Sequence, residues 1–113
     1  MKEIKDNKYL SSGSSILLFS TGGCNPCKNM KTILEKFEKL HGDKIKFYNI
    51  DVENNPLLAS DYKIKSVPTT VFVKENKIKD RFAGFIDNID LESKMMNLLF
   101  DIDEEVSFGF EEF

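Results

Sequence analysis

The chain has 113 residues, of which 41% are hydrophobic and 31% are charged, and its formal net charge is -3. These values are typical of a single globular domain, which at this length can bury a hydrophobic core and needs no disulfide bond or structural metal for stability. The small acidic charge gives no basis for nucleic-acid binding, and no apolar run is long enough to span a membrane.

The start of the chain predicts one short helix and a loop. Residues 3–10 are interpreted as the helix, with Ile4, Tyr9 and Leu10 as its core contacts, and the serine-rich residues 11–15 as the loop. The first residues lack the apolar segment of a signal peptide, so we expect a cytoplasmic protein. Thiols stay mostly reduced in the cytoplasm, where two cysteines close in sequence suit catalysis better than a structural role.

A strand followed by two cysteines is the central feature of the pattern. The apolar run of residues 16–19 predicts a strand that is buried on both faces. Cys24 and Cys27, the only cysteines in the chain, come soon after it. A helix is predicted to follow and to end near Gly42, since glycine is common after the last helical residue. Apolar residues recur along this helix at three- and four-residue steps: Met30, Ile33, Leu34, Phe37 and Leu40.

The position of the cysteines at the start of a helix favours redox chemistry. A thiolate at a helix N-terminus faces unpaired backbone N–H groups and the positive end of the helix dipole, and both lower its pKa. Pro26 suits the first helical turn, where its missing N–H costs nothing. The alternatives are a pair of inert core thiols or half of a zinc site. Zinc usually takes four cysteine or histidine ligands, and the only histidine is the distant His41, so we expect no metal and no cofactor.

Patterns in the second half of the chain predict three strands and two helices. Asn55 is the expected cap of the first of these helices, with Pro56 as its first residue, and Asp87 is the expected cap of the last helix. In chain order, the elements are a strand at 45–50, a helix at 55–62, strands at 69–74 and 77–83 that join at Glu75-Asn76, and a final helix. The buried stripe of that final helix is predicted to be Leu91, Met95, Leu98, Leu99 and Ile102.

These elements predict an α/β fold with a mixed sheet. A strand, a crossover helix and a second strand form a parallel pair, and the hairpin adds antiparallel strands. We therefore expect a four-stranded sheet with helices on both faces. The domain is expected to comprise residues 1–100, and residues 101–113 form an acidic aromatic tail.

Two motifs together resemble the thioredoxin family. The first is a strand followed by Cys24-Asn25-Pro26-Cys27-Lys28, and the second, one strand and one helix later, is Val67-Pro68-Thr69. The resemblance extends from about residue 14 to about residue 100, and it implies the thioredoxin fold. The family usually opens with a strand before its first helix. Only a short segment precedes the strand at 16–20, so the usual first strand is expected to be missing here.

The expected chemistry divides the site residues by role. Cys24 is the candidate nucleophile that forms a mixed disulfide with the substrate, and Cys27 is the resolving thiol that releases the product. The resemblance implies a cis peptide bond between Val67 and Pro68 and a substrate held along the backbone there. The expected substrate-binding residues are Gly23, Val67, Pro68 and Gly84, and the expected supporting residues around the thiols are Asn25, Pro26, Lys28 and Leu18.

The chain departs from the family at a pair of buried positions. Leu18 occupies the place of an aspartate that helps to move the proton of the second cysteine, and Phe47 occupies the place of its lysine partner. Because both partners are replaced by apolar residues, no buried charge is left alone. Cys27 then lacks an obvious side-chain base, and proton transfer is expected to fall to water, to Lys28 or to the substrate thiol.

Two functions fit these residues. The first is a thiol–disulfide oxidoreductase, an enzyme that reduces the disulfides of client proteins and is itself reduced by a separate reductase. The second is a thioredoxin-fold binding module that holds a partner protein around Gly23, Val67-Pro68 and Gly84 with little turnover. The intact cysteines favour the enzyme. The missing aspartate, together with Gly23 where a tryptophan is common and Asn25 where a glycine is usual, keeps the alternative open. We expect a monomer without nucleic-acid or membrane partners.

The tail of residues 101–113 extends beyond the resemblance. It contains six acidic residues, no basic residue and the closely spaced Phe108, Phe110 and Phe113. One interpretation is a disordered acidic end. The other is that the phenylalanines dock on a basic, apolar surface, either the sheet edge left open by the missing first strand or a groove on a neighbouring molecule.

Overall fold

The computed structural model describes residues 1–4 and 13–100. In these two ranges the chain forms five strands and three helices. The strands are β1 (Lys2–Glu3), β2 (Ser14–Ser20), β3 (Ile45–Asp51), β4 (Thr69–Lys74) and β5 (Lys77–Ala83). The helices are α1 (Asn25–His41), α2 (Pro56–Asp61) and α3 (Asn88–Phe100). The expected contacts of Tyr9 and Leu10, and the tail of residues 101–113, lie outside the described residues.

The strands form one mixed sheet in the order β1-β3-β2-β4-β5. Strands β1 and β2 run parallel to β3 on its two sides, whereas β4 is antiparallel to both β2 and β5. Helix α1 joins the parallel pair β2 and β3. Strands β4 and β5 form the predicted hairpin, and its turn residues Glu75 and Asn76 both have positive φ. The predicted α/β fold with a mixed sheet is confirmed.

A hydrophobic core lies on each face of the sheet. One core receives α1 and α3, and the other receives Leu58 of α2, so helices cover both faces as predicted. Successive residues of β2 alternate between the two cores. Leu18 lies in the core of α1 and α3, while Leu17 and Phe19 lie in the other, and all three are 0% exposed. Burial on both faces explains why this strand has a continuous apolar run.

The prediction that the first strand is missing is wrong. Strand β1 pairs in parallel with Tyr48 and Asn49 of β3, and the N–H of Ile4 donates to the carbonyl oxygen of Asn49 at 3.1 Å. The sheet therefore has five strands among the described residues instead of four, and the predicted helix over 3–10 does not begin at residue 3. Two residues are too few to show alternation in the sequence. The pairing with β3 and the burial of Ile4, which is 1% exposed, produce the strand.

The position of β1 also corrects one expectation for the tail. The sheet edge beside β3, one of the two docking surfaces expected for residues 101–113, is occupied by β1. Docking of the tail at that open edge is therefore no longer an option.

The glycine that follows α1 is required by a close backbone approach. A Cβ added at Gly42 would lie 2.6 Å from the carbonyl oxygen of Glu38, to which the N–H of Gly42 donates at 2.8 Å. Any larger residue would force these backbones apart. The predicted end of the helix near Gly42 is confirmed.

One of the two predicted helix caps is present. Asp87 caps α3, since its Oδ1 accepts the N–H of Asp90 at 2.9 Å. Asn55 does not cap α2 with its side chain. Its Nδ2 donates instead to the carbonyl oxygen of Asp51 at 2.9 Å and so holds the turn that precedes the helix.

Helix α3 packs on the sheet through much of its predicted stripe. The buried residues of the helix are Leu91, Met95 and Leu98, and Leu99 packs against the same core. Lys74 of β4 donates from Nζ to the carbonyl oxygens of Leu98 and Leu99 at 3.0 and 3.2 Å, which satisfies acceptors in the last turn of the helix. Ile102 lies outside the described residues.

The hydroxyl of Thr70 is buried without a hydrogen-bond partner in the described part of the chain. Thr70 is 0% exposed and lies opposite Leu18 in the pairing of β2 with β4. Valine has nearly the same shape and no hydroxyl. Replacing Thr70 with valine should therefore raise the free energy of unfolding by about 1 kcal/mol, because an unpaired buried polar group is removed. Urea denaturation of the two proteins measures this difference.

Thr69→Val is the matched control for this substitution. The hydroxyl of Thr69 donates to the carbonyl oxygen of Ser66 at 2.7 Å, so its removal should lower the free energy of unfolding. A Thr70→Val protein that is also destabilised would mean that the hydroxyl of Thr70 has a partner, such as a buried water.

Candidate active site

The two cysteines lie where the chain passes from β2 to α1. After β2 the chain turns through Thr21 and Gly22, and Gly23 adopts a φ of 78°, a left-handed conformation that favours glycine. Cys24 is the N-cap of α1 and Cys27 lies in its first turn. Their Cα atoms are 5.2 Å apart and their sulfur atoms lie at disulfide-bonding distance. The local fold thus brings both thiols of the motif together.

Cys24 and Cys27 differ in exposure and in hydrogen bonding. Cys24 is half-buried, whereas Cys27 is only 3% exposed. The Sγ of Cys24 accepts the backbone N–H of Cys27 at 3.2 Å, and a backbone N–H directed at this sulfur favours the thiolate over the thiol. The geometry suits Cys24 to attack a substrate and Cys27 to act inside the protein afterwards.

The expected supporting residues of α1 surround the pair from the solvent side. Asn25, Pro26 and Lys28 are all exposed, and Pro26 lies in the first turn as predicted. The first turn of α1 contains no acidic residue. A thiolate at Cys24 is therefore not opposed by a carboxylate in that turn.

The segment before β4 lies at the same end of the sheet as the cysteines. The peptide bond between Val67 and Pro68 is cis, as predicted, and Pro68 is buried. Strand β4 is antiparallel to β2 and pairs Thr69 with Phe19, so the residues before Thr69 lie at the end where β2 finishes. The carbonyl oxygen of Pro68 accepts the N–H of Gly84 at 2.7 Å, which places Gly84 at the same end.

Open backbone borders this end of the sheet. Among the described residues, neither the N–H nor the carbonyl oxygen of Val67 has a backbone hydrogen-bond partner. A Cβ added at Gly23 or Gly84 would meet no atom within 4 Å, so both glycines face open space. The strand pairings thus place at one end of the sheet the four residues that the sequence suggested for substrate binding: Gly23, Val67, Pro68 and Gly84.

The positions of Leu18 and Phe47 are apolar and closed to solvent. Leu18 is 0% exposed and Phe47 is 3% exposed, and both belong to the core that receives α1. In the pairing of β2 with β3, Leu18 lies opposite Asn49 and Phe47 lies opposite Ile16, so the two side chains are diagonal neighbours on one face. This pair of side chains offers Cys27 no proton acceptor.

A cleft that the sequence analysis missed lies beside Cys27, and most of the residues that line it are of polar types. It has a volume of about 250 Å³, and Cys27, Lys28 and residues of three strands line it. Asn49, 7% exposed, connects these strands through hydrogen bonds to Glu3 of β1 and Ser20 of β2. Asn49 could have been noticed as a polar residue within a buried strand. Glu3 could not, because the sequence pattern did not show β1.

A metal-binding cluster and a membrane-spanning helix are both absent from residues 1–4 and 13–100. No group of three histidine, cysteine, aspartate or glutamate side chains there is placed to hold a metal ion. None of the helices in residues 13–100 has the length and apolar composition needed to cross a membrane.

Comparisons with known proteins agree on one family. The family model described as thioredoxin matches residues 2–97. The chain is 33% identical to the thioredoxin of Bacillus subtilis over 75 residues, which are 66% of this chain and 72% of that protein. It is 30% identical to the thioredoxin of Alicyclobacillus acidocaldarius over 81 residues, 72% of this chain and 77% of that protein. The crystal structure of a Malassezia sympodialis thioredoxin superposes with a TM-score of 0.77 at 27% identity, covering 86% of this chain and 89% of that one.

Proposed function

The chain belongs to the thioredoxin family and is a disulfide reductase, and on that premise we propose that it reduces disulfide bonds of other proteins through Cys24 and Cys27. One observation carries the proposal. The half-buried Cys24 stands at the start of α1 with a backbone N–H directed at its sulfur, and the buried Cys27 lies within bonding distance of it. Such a pair can exchange disulfide bonds without help from a metal or cofactor.

The reaction consists of two exchanges. The thiolate of Cys24 attacks one sulfur of the substrate disulfide, whose S–S bond breaks as a mixed disulfide forms and the other sulfur leaves as a thiolate. Cys27 then loses its proton and attacks the Sγ of Cys24. The second substrate sulfur leaves as a thiolate, and Cys24 and Cys27 remain joined. Two electrons have passed to the substrate, and a separate reductase returns the pair to the dithiol.

The substrate is proposed to bind in an extended conformation beside Cys24. The N–H and carbonyl oxygen of Val67 lack backbone partners among the described residues and can pair with the backbone of a second chain. Gly23 and Gly84 leave space on either side because no atom lies within 4 Å of where their Cβ would be. Pro68, which is buried, is proposed to form the floor of this groove.

Three broader parts of the proposal concern the whole protein. We propose a cytoplasmic location, where the surroundings keep the pair reduced between turnovers. We also propose a monomer in which the domain of residues 1–100 is separate from the tail of residues 101–113. The family match, which ends at residue 97, supports that division.

An insulin-reduction assay with dithiothreitol tests the proposed function. The protein should accelerate the precipitation of reduced insulin above the rate with dithiothreitol alone, because the Cys24 thiolate attacks the insulin disulfides. A variant with serine at both cysteines is the control and should give only the background rate. If the parent protein also gives the background rate while it still binds the insulin chains, it is a binding module and the proposal is wrong.

A further inference from the structure

We propose that the carboxylate of Glu3 accepts the proton of Cys27, through water in the adjoining cleft, during the resolving step. The inference rests on the proposed function, because there is a resolving step only if Cys24 forms a mixed disulfide. Both residues line the same cleft, Cys27 from the first turn of α1 and Glu3 from the edge strand β1. The cleft volume of about 250 Å³ leaves room for several water molecules between them.

The resolving step needs a proton acceptor near Cys27. A thiol is mostly protonated at neutral pH, and only the thiolate attacks a disulfide. Cys27 is 3% exposed, so bulk water has little direct access to it. Leu18 and Phe47, which belong to the core that receives α1, are apolar. The cleft is therefore the route by which the proton can leave.

A hydrogen-bonded network holds Glu3 at the cleft. Both carboxylate oxygens of Glu3 accept from Nδ2 of Asn49, at 3.1 and 2.9 Å. The Oδ1 of Asn49 in turn accepts the hydroxyl of Ser20 at 2.9 Å. Asn49 is 7% exposed and sits in β3 opposite Leu18, so its side chain is fixed by its surroundings. We assign Asn49 as a positioning residue that keeps the carboxylate of Glu3 at the cleft.

Asp51 is the other carboxylate of the cleft, and its oxygens are already engaged. Its Oδ1 accepts the N–H of Glu53 at 2.9 Å and its Oδ2 accepts Nδ2 of Asn54 at 3.2 Å. Through these hydrogen bonds Asp51 stabilises the turn that follows β3. The oxygens of Glu3 are also hydrogen-bonded, but their partner Asn49 itself lines the cleft and no turn depends on them, so the proton is assigned to Glu3.

The cationic groups near Glu3 and Cys27 cannot take the proton, because an ammonium group donates hydrogen bonds and has no lone pair to accept with. Lys28 and Lys31 of α1 line it and can stabilise the thiolate of Cys27 once it forms. The N-terminal ammonium of Met1, which precedes β1, pairs with the carboxylate of Glu38 at 2.9 Å and lies 3.9 Å from that of Glu35. These cations leave Glu3 as the acceptor that the geometry supports.

The proposed step balances in protons and electrons. The S–H bond of Cys27 breaks, the proton passes to a cleft water, and that water gives a proton to the carboxylate of Glu3. The sulfur keeps the electron pair and uses it to form the bond to Sγ of Cys24, while the substrate sulfur leaves with the electrons of the broken S–S bond. Glu3 afterwards returns its proton to solvent. No further oxidant or reductant is needed.

Glu3→Gln is the test, because glutamine can still accept a hydrogen bond from Asn49 but cannot take up a proton. Reduced protein in excess is mixed with an aromatic disulfide whose released thiolates are coloured. The first release reports the attack by Cys24 and the second reports the resolving step. We expect Glu3→Gln to slow the second release by about tenfold or more near pH 6.5 and to leave the first unchanged. The two proteins should converge as the pH is raised further, because hydroxide then removes the proton of Cys27 without the carboxylate.

Two variants control for charge and structure. Glu3→Asp retains the carboxylate and should restore much of the rate near pH 6.5. Glu92→Gln removes an exposed carboxylate from α3 and should change neither phase. Equal second-phase rates for Glu3→Gln and the parent at every pH, or a Glu3→Gln defect that is the same at every pH, would overturn the inference. Absence of the first release from the parent protein would instead refute the proposed function.

Discussion

Replacing Cys27 with serine should leave Cys24 able to attack substrates and unable to release them. Without the second thiol, no internal nucleophile can cleave the mixed disulfide on Cys24, so substrate proteins accumulate as covalent adducts. Insulin turnover should fall to the background rate set by dithiothreitol. Non-reducing electrophoresis and mass spectrometry of the protein after incubation with a disulfide-containing protein measure the adduct.

Cys24→Ser is the matched variant for this experiment. It retains Cys27, which is 3% exposed and therefore poorly placed to meet a substrate disulfide, so we expect little adduct. Both single variants lose the bond between the two cysteines, and a difference between them reflects the position of the remaining thiol. If Cys24→Ser traps substrates as well as Cys27→Ser does, the assignment of Cys24 as the attacking thiol is wrong.

Replacing Leu18 with aspartate should lower the free energy of unfolding by about 3 kcal/mol or more at neutral pH. The substitution removes a large apolar side chain and introduces a carboxyl group without a partner. Leu18 is 0% exposed, and its diagonal neighbour Phe47 offers no hydrogen bond or charge. Urea denaturation of the variant and the parent measures the loss. A variant as stable as the parent would show that position 18 is open to water.

The decrease in the free energy of unfolding caused by Leu18→Asp should also depend on pH. Burial raises the pKa of the introduced carboxyl above the value of about 3.9 that it has in the unfolded chain. Between these two pKa values the folded state binds more protons than the unfolded state, so stability falls as the pH rises through that window. The variant should therefore be closest to the parent near pH 4.

Two further variants separate charge from shape at this position. Leu18→Asn introduces a side chain of the same shape as aspartate but without a charge. The stability that this variant loses should not change with pH between the two pKa values. Adding Phe47→Lys to Leu18→Asp places a cation diagonally opposite the new carboxylate. The double variant should be more stable than the sum of the two single losses predicts, because each buried charge then has a partner.

Much of the fold could be predicted because its signals are local. The spacing of Met30, Leu34 and Phe37 predicts one buried face of a helix, and these residues do pack in the core of α1 and α3. Glu75-Asn76 predicts a turn because asparagine tolerates positive φ, and both residues adopt it. Each of these signals depends on neighbours within a few positions along the chain.

The first strand and the cap of α2 could not be predicted in this way. Strand β1 spans two residues and exists because β3 offers hydrogen bonds and Ile4 is buried beside it. Asparagine is a common cap residue, but the side-chain amide of Asn55 donates to the carbonyl oxygen of Asp51 instead. In both cases the stabilising hydrogen bonds are made to a partner that the local sequence pattern does not reveal.

The family could be predicted from two short motifs, and the dithiol from one of them, because Cys24 and Cys27 lie three positions apart at the start of a helix and need no distant residue to meet. The surroundings of Cys27 depend instead on contacts between residues far apart in the chain. The bond between Glu3 and Asn49 joins residues 46 positions apart, and it exists because β1 pairs with β3 in one register. A shift of one residue would turn Glu3 to the other face of the sheet and away from the cleft. Side-chain networks between strands depend on that register, which a local sequence pattern does not contain.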